Sequence, residues 1–195
     1  MKKIIAIGIC CALPVIVVLI FGLAKSKPES NDAQIFSNSS AGLEKTEVAR
    51  GKPAPEAVFT AIDGREIRLS EFKGKKVMFW FLATWCPSCI TGAQVLAQNN
   101  DELRNLTIIA LETYGNAGYR GPSIEEFAKQ SAPDTLSAQN WLWGNASREA
   151  TNVFNPTNFP DVYFLIDEDG IIRAIDGAPS ATINKIIQFT NENTN

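Results

Sequence analysis

The chain of 195 residues contains no histidine. This absence excludes the catalytic pairs in which histidine activates a serine or a cysteine, the zinc sites that use imidazole, and histidine-ligated haem. The sequence also has no basic stripe, and its formal net charge is -3 with a pI of about 5.1. Nucleic acid is therefore not an expected partner. The chemistry has to come from cysteines, carboxylates, lysines or backbone groups.

Cysteine is scarce, with four residues in two pairs. Cys10 and Cys11 lie inside an apolar N-terminal run, whereas Cys86 and Cys89 lie in the body of the chain. A zinc site built from all four would draw two thiolates from within a membrane segment, which excludes it. Haem attachment through Cys-x-x-Cys-His is excluded because Ile90 occupies the histidine position. No metal site and no cofactor are therefore expected.

The N-terminal segment has the length and polarity of a membrane span. Residues 4–24 carry no charge, and a helix of that length spans roughly 30 Å, the thickness of a bilayer core. We interpret residues 1–24 as a transmembrane anchor or uncleaved signal; a cleaved signal peptide is the alternative. Residues 25–50 are polar and predict a flexible linker, and residues 51–195 predict the folded domain. We expect a single-pass protein of the cell membrane with this domain on the extracytoplasmic side.

Short apolar strands alternate with amphipathic helices in the folded domain, which is typical of an α/β fold. The pattern predicts a first hairpin across 57–69 and a last hairpin around the turn at 168–170. A strand at 139–143 carries Trp141 and Trp143 on one face, which we expect in the core rather than at the rim of a cleft. The prediction is a mixed central sheet flanked by helices, with an N-terminal β-hairpin extension.

The second cysteine pair follows the most apolar strand of this domain, at 76–83, and opens a helix. Pro87 is favoured at the first helical position, so Cys86 becomes the helix N-cap, where unpaired N–H groups and the helix dipole favour a thiolate. Cys89 lies one turn further on. We therefore predict that Cys86 attacks from an exposed position and that Cys89 resolves the mixed disulfide. Trp85 offers an aromatic surface beside the Cys86 sulfur.

The Trp-Cys-Pro-Ser-Cys sequence at 85–89, placed after an apolar strand, resembles the active site of the thioredoxin superfamily. The Gly-Lys-Pro-Ala-Pro sequence at 51–55, the early hairpin and the segment at 164–170 resemble its membrane-anchored TlpA/ResA/DsbE-like branch. The resemblance implies a thioredoxin-like fold and thiol–disulfide exchange without a cofactor. The implied partners are protein substrates with thiols or disulfides and a membrane electron donor or acceptor, and we expect a monomer.

The resemblance also implies a cis-proline beside the dithiol, preceded by a residue whose backbone pairs with the substrate. Phe159 and Pro160 match this feature, with Pro156 as the other candidate. Together with Trp85 and Pro87, they form the predicted substrate-binding set. The spacing from Pro160 to the last turn is one residue longer than usual, so we expect a bulge.

One departure concerns the acidic residue that many relatives carry beneath the dithiol. The two positions that match are Trp80 on the strand and Gly92 on the helix, and neither is acidic. Glu112, at the end of the neighbouring strand, is the candidate substitute.

Two other functions fit the same cysteines. A thiol peroxidase of the kind that carries threonine three residues before its cysteine is disfavoured, because Ala83 stands there and Thr84 is two before. A copper(I)-binding or metal-delivery module would use Cys86 and Cys89 as a soft-metal clamp. Relatives of that kind generally add a histidine, which this chain lacks.

Overall fold

The computed structural model describes residues 48–192. Within this part of the chain, seven strands form one sheet, accompanied by four α-helices. The strands are β1 (Val58–Ala61), β2 (Glu66–Arg68), β3 (Lys76–Leu82), β4 (Leu106–Glu112), β5 (Trp141–Ala146), β6 (Asp161–Ile166) and β7 (Ile172–Gly177). The helices are α1 (Pro87–Gln98), α2 (Ile124–Ser131), α3 (Arg148–Phe154) and α4 (Pro179–Asn191).

The sheet has the strand order β2-β1-β5-β4-β3-β6-β7. Its centre is parallel, since β4 pairs in parallel with both β3 and β5. The pairs β3–β6, β6–β7, β1–β5 and β1–β2 are antiparallel. The predicted mixed sheet and the N-terminal hairpin, β1–β2, are confirmed.

The central strand β3 is buried along its whole length because both of its faces are covered. Met78, Trp80 and Leu82 point into a core shared with α1, α2 and α4. Phe79 and Phe81 point into a second core on the opposite face, where Phe154 from α3 also lies. Each such side chain contributes about 1.5–3 kcal/mol relative to an exposed one. The end of β3, which leads to the dithiol, is therefore held from both sides.

Strand β5 occupies Trp141–Ala146 instead of the predicted 139–143. Its last three residues pair with β1, and Gly144 permits the close approach because a Cβ there would lie 2.4 Å from the Thr60 carbonyl oxygen. Trp141 and Trp143 are buried and stacked with ring centroids 5.2 Å apart, so the predicted core placement is confirmed.

The bulge expected between Pro160 and the last turn is not found in β6. From 161 to 166 this strand pairs with β3 without interruption. Against β7 its register shifts between Leu165 and Ile166, which pair with Ala174 and Ile172, so the extra residue is Arg173 on β7. The observed bulge thus lies after the turn, and the uninterrupted pairing of β6 with β3 keeps Pro160 in register with the end of β3.

Among residues 48–192, no helix has both the length and the apolar character needed to cross a bilayer. The predicted anchor at 1–24 and most of the predicted linker at 25–50 lie outside the described residues. Near the start of the predicted domain, Gly51 donates its backbone N–H to the Ile172 carbonyl oxygen at 2.7 Å.

Candidate active site

The dithiol lies at the turn between β3 and α1. Pro87 is the first helical residue and Cys86 is the N-cap, with φ -82° and ψ 121°, so the predicted cap is confirmed. The Cys86 sulfur accepts no capping hydrogen bond and lies 3.1 Å from the Ser88 hydroxyl oxygen. The prediction of an exposed sulfur is wrong, because the residue is only 5% exposed. Only a small part of Cys86 is therefore accessible to a substrate.

Cys89 lies deeper than Cys86 and is completely buried. Its thiol donates to the Pro160 carbonyl oxygen at 2.8 Å. Burial raises the pKa of Cys89 far above its ordinary value, and the negative charges of Asp161 and Cys86 raise it further. Both cysteines are free. The two thiols thus differ strongly in environment, and Cys89 needs help to lose its proton.

The segment before β6 lies against the dithiol, as predicted for Phe159 and Pro160. The Pro160 carbonyl oxygen accepts the Cys89 thiol and also the Ala83 backbone N–H, at 2.9 Å. It is Pro160, and not Pro156, that supplies this contact. The Phe159 side chain is 57% exposed and available to a partner.

The predicted aromatic surface beside Cys86 is held in place by a neighbouring loop. The Trp85 indole N–H donates to the Asn116 carbonyl oxygen at 2.7 Å. Its ring meets Tyr119 edge to face, with ring centroids 4.9 Å apart. Pro87, the fourth member of the predicted substrate-binding set, is exposed at the start of α1.

Asn116 is a positioning residue that the sequence reasoning did not identify. Its side-chain amide accepts the Thr84 backbone N–H and donates to the Thr84 hydroxyl oxygen, both at 2.8 Å. Asn116 and Ala117 adopt left-handed backbone conformations with φ of 52° and 53°, which Asn tolerates better than Ala. A Cβ at Gly121 would lie 2.3 Å from the Thr84 hydroxyl oxygen. In the sequence, the Gly-Asn-Ala-Gly segment at 115–118 indicates only a loop.

The acid beneath the dithiol is Asp161, the first residue of β6, and it is buried. The Trp80 indole N–H donates to its Oδ1 at 2.8 Å, and its buried Oδ2 has no hydrogen-bond partner. Burial raises the pKa of Asp161, and the Ser88 hydroxyl, the Trp80 indole and the Ala178 backbone amide oppose that rise. The Ser88 hydroxyl lowers the pKa of Asp161 from nearby, although it makes no hydrogen bond of normal geometry to the carboxyl. Its observed contact is with the Cys86 sulfur.

The two non-acidic positions noted in the sequence now have an explanation. Trp80 supplies the hydrogen-bond donor for Asp161. Gly92 leaves room for that indole, because a Cβ there would lie 3.3 Å from the Trp80 ring and from Pro179. Partial burial raises the pKa of Glu112, but the carboxylate whose charge acts on Cys89 is Asp161. A signal was present in the sequence: Asp161 is two residues before the apolar Tyr163 and so shares its face of the strand.

Within residues 48–192, no cluster of three or more metal-ligating side chains occurs. The only thiol ligands that this part of the chain offers to a metal ion are those of Cys86 and Cys89.

Comparison with known proteins agrees with this architecture. A model described as the AhpC/TSA family matches residues 50–175. A thiol-disulfide oxidoreductase ResA from Geobacillus kaustophilus is 30% identical over 135 residues, covering 68% of this chain and 71% of that protein. A thioredoxin-like protein from Aeropyrum pernix superposes with a TM-score of 0.55 at 22% identity, covering 68% and 88% of the two chains. Yeast Sco1 with copper bound superposes with a TM-score of 0.54 at 12% identity, covering 73% and 94%. The structural matches show the shared fold, and the predicted thioredoxin-like fold is confirmed.

We expect Asp161→Asn to stabilise the protein increasingly as the pH rises. Because burial raises the pKa of Asp161, the stability that its proton provides is present below the ordinary aspartate pKa and is lost as the pH rises through the raised value. Asparagine keeps the acceptor for Trp80 and does not ionise. The measurement is the free energy of unfolding in urea from about pH 4 to about pH 8.

Asp169→Asn, at an exposed aspartate of the last hairpin, is the matched control and should show no such divergence. Equal pH dependence of wild type and Asp161→Asn would contradict the assignment.

Proposed function

The chain belongs to the AhpC/TSA family and is a thiol–disulfide oxidoreductase, and we propose that it exchanges disulfides with cysteines of other proteins through Cys86 and Cys89. The observation that carries this proposal is the asymmetry of the two thiols. Cys86 caps the N-terminus of α1 beside the Ser88 hydroxyl. Cys89 is sealed beneath it against Pro160 and has a raised pKa. Cys86 is therefore suited to attack a substrate disulfide, and Cys89 is suited to resolve the mixed disulfide that forms.

In the reductive direction, the Cys86 thiolate attacks one sulfur of a substrate disulfide. The substrate S–S bond breaks, a mixed disulfide forms, and the departing substrate sulfur leaves as a thiolate that takes up a proton. Cys89 then loses its proton and attacks the Cys86 sulfur, which releases the second substrate thiolate and leaves a Cys86–Cys89 disulfide. The oxidative direction is the reverse of these steps.

Asp161 accepts the Cys89 proton in the resolution step, directly or through one water molecule. Three features support this role: the carboxyl is buried, its Oδ2 has no partner, and its charge acts on Cys89. A raised pKa makes it a stronger base than an exposed aspartate when it is ionised. The proton transfer also relieves the repulsion that the carboxylate exerts on the emerging Cys89 thiolate.

The site of action in this proposal is the extracytoplasmic face of the cell membrane. The uncharged run at 4–24 supports a single membrane anchor, and the polar residues at 25–50 support a tether. In this arrangement the domain receives or delivers electrons through a membrane partner and acts on proteins outside the cytoplasm.

A copper(I)-binding module is the second candidate, because the fold is shared with yeast Sco1 with copper bound. Copper(I) accepts two thiolate ligands, which Cys86 and Cys89 provide. The site favours exchange over this alternative, because the Asp161 charge and burial both keep Cys89 protonated.

We expect Cys86→Ser to reduce exchange with a disulfide-bonded peptide to the uncatalysed rate. We expect Cys89→Ser to accumulate a mixed disulfide, because the buried resolving thiol is missing. Mass spectrometry of the quenched reaction measures the adduct. Cys11→Ser makes the same atomic change in the predicted membrane anchor and should leave exchange unchanged. Full activity of Cys86→Ser would contradict the mechanism.

We expect Asp161→Asn to slow resolution of the mixed disulfide by about a hundredfold at neutral pH, in the lower range of general-base effects. In the wild type this rate should rise with pH through the pKa of Asp161, above the ordinary aspartate range, and the variant should lack that rise. Trp80→Phe removes the donor that lowers this pKa, so the rise should shift to higher pH. Identical pH profiles in all three proteins would show that Asp161 does not take the proton.

Copper(I) titration of the reduced protein against a competing chelator separates the two candidate functions. We expect weak binding together with rapid disulfide exchange, because burial and the Asp161 charge oppose the loss of the Cys89 proton that copper binding requires. Tight binding of one copper ion per chain, accompanied by slow exchange, would favour the metal module.

A further inference from the structure

The loop between α3 and β6 is closed by the side chain of a single residue, Asn155. It lies directly after α3 and is only 3% exposed. Its Oδ1 accepts the Phe159 backbone N–H at 2.9 Å, and its Nδ2 donates to the Phe159 carbonyl oxygen at 2.8 Å. Both backbone polar groups of Phe159 are therefore already paired inside the protein, as if the amide were a neighbouring strand.

Further contacts fix this arrangement. The Asn158 backbone N–H donates to the Asn155 carbonyl oxygen at 2.9 Å, and Asn158 has a left-handed conformation with φ 54°. The Asn155 Nδ2 also approaches the Thr113 hydroxyl oxygen at 3.4 Å. Phe159 therefore lies in a tight internal turn and presents no free strand edge.

Phe159 is nevertheless the backbone segment next to the dithiol, because the following carbonyl, of Pro160, contacts Cys89. An extended polypeptide that brings a cysteine to this site would normally gain affinity by pairing with free backbone groups of this kind. Replacing the Asn155 contacts by contacts to the peptide would leave the buried Asn155 amide with only its long contact to Thr113, which is costly. Replacing one set of hydrogen bonds by the other therefore adds no affinity for the peptide.

We infer that Asn155 withholds the Phe159 backbone from substrates, so that a protein substrate is selected by side-chain contacts with exposed aromatic groups, namely the Trp85–Tyr119 pair and the Phe159 ring. Tyr119 is 68% exposed and Phe159 is 57% exposed, and Trp85 is fixed between Tyr119 and the Asn116 carbonyl. These aromatic side chains favour substrates with an apolar or aromatic residue beside the cysteine. This inference rests on the proposed exchange activity.

The test compares two disulfide-bonded peptides of identical sequence, one of them N-methylated at the residues on both sides of its cysteine. Methylation removes the N–H donors that main-chain pairing requires. For the full-length wild type, we expect second-order rate constants for mixed-disulfide formation that differ by less than about twofold. A decrease of about fivefold, the value of one ordinary hydrogen bond, would overturn the inference.

Asn155→Ala and Asn155→Asp provide the second arm. Both free the Phe159 carbonyl oxygen, so methylation should slow the variants by about fivefold. Thr157→Ala, at an exposed position of the same loop, is the matched control and should behave as the wild type. If methylation affects the Asn155 variants no more than it affects the wild type, Asn155 is not the residue that withholds the Phe159 backbone. Loss of reaction with both peptides in the wild type would instead refute the proposed exchange activity.

Discussion

The carbonyl oxygen of Pro160 joins the three elements from which the site is built. It accepts the Ala83 backbone N–H at the end of β3 and the thiol of Cys89 on α1, while Pro160 itself leads into β6. The antiparallel register, in which Leu82 faces Asp161, brings this carbonyl to the end of β3. A displacement of β6 would therefore change the partner of Cys89, the position of the buried acid and the presentation of Phe159 at the same time.

The acid beneath the dithiol, Asp161, is buried at a cost in stability. A carboxyl with one unpaired oxygen inside a core is unfavourable, and natural proteins tolerate such groups where they serve chemistry. Here an indole takes the position from which many relatives supply the acid, and the acid enters from the opposite strand. An indole on β3 thus donates to a carboxyl on β6, and that carboxyl acts on the buried cysteine.

The sequence was sufficient for the elements that depend on local signals. An uninterrupted apolar run followed by Cys86 and Pro87 predicted the buried strand and the helix N-cap, and both are observed. The end of β5 was missed because Gly144-Asn145-Ala146 has low intrinsic strand preference and is held by pairing with β1. Asp161 was missed because alternation along β6 groups its residues by face without showing which face covers the dithiol. The roles of Asn116 and Asn155 depend on contacts between distant or turned segments, which spacing alone does not reveal.

The amide of Thr84, just before the dithiol, is bonded to the side chain of Asn116 and not to a neighbouring strand. Its exchange with solvent deuterium is therefore governed by the opening of the loop that carries Asn116, not by the opening of the sheet. The amides of β3 a few residues earlier are held in a buried ladder and exchange only when the core opens. Two amides close together in sequence thus report on different motions, and the difference between their protection factors measures how freely the wall of the site opens around a stable strand.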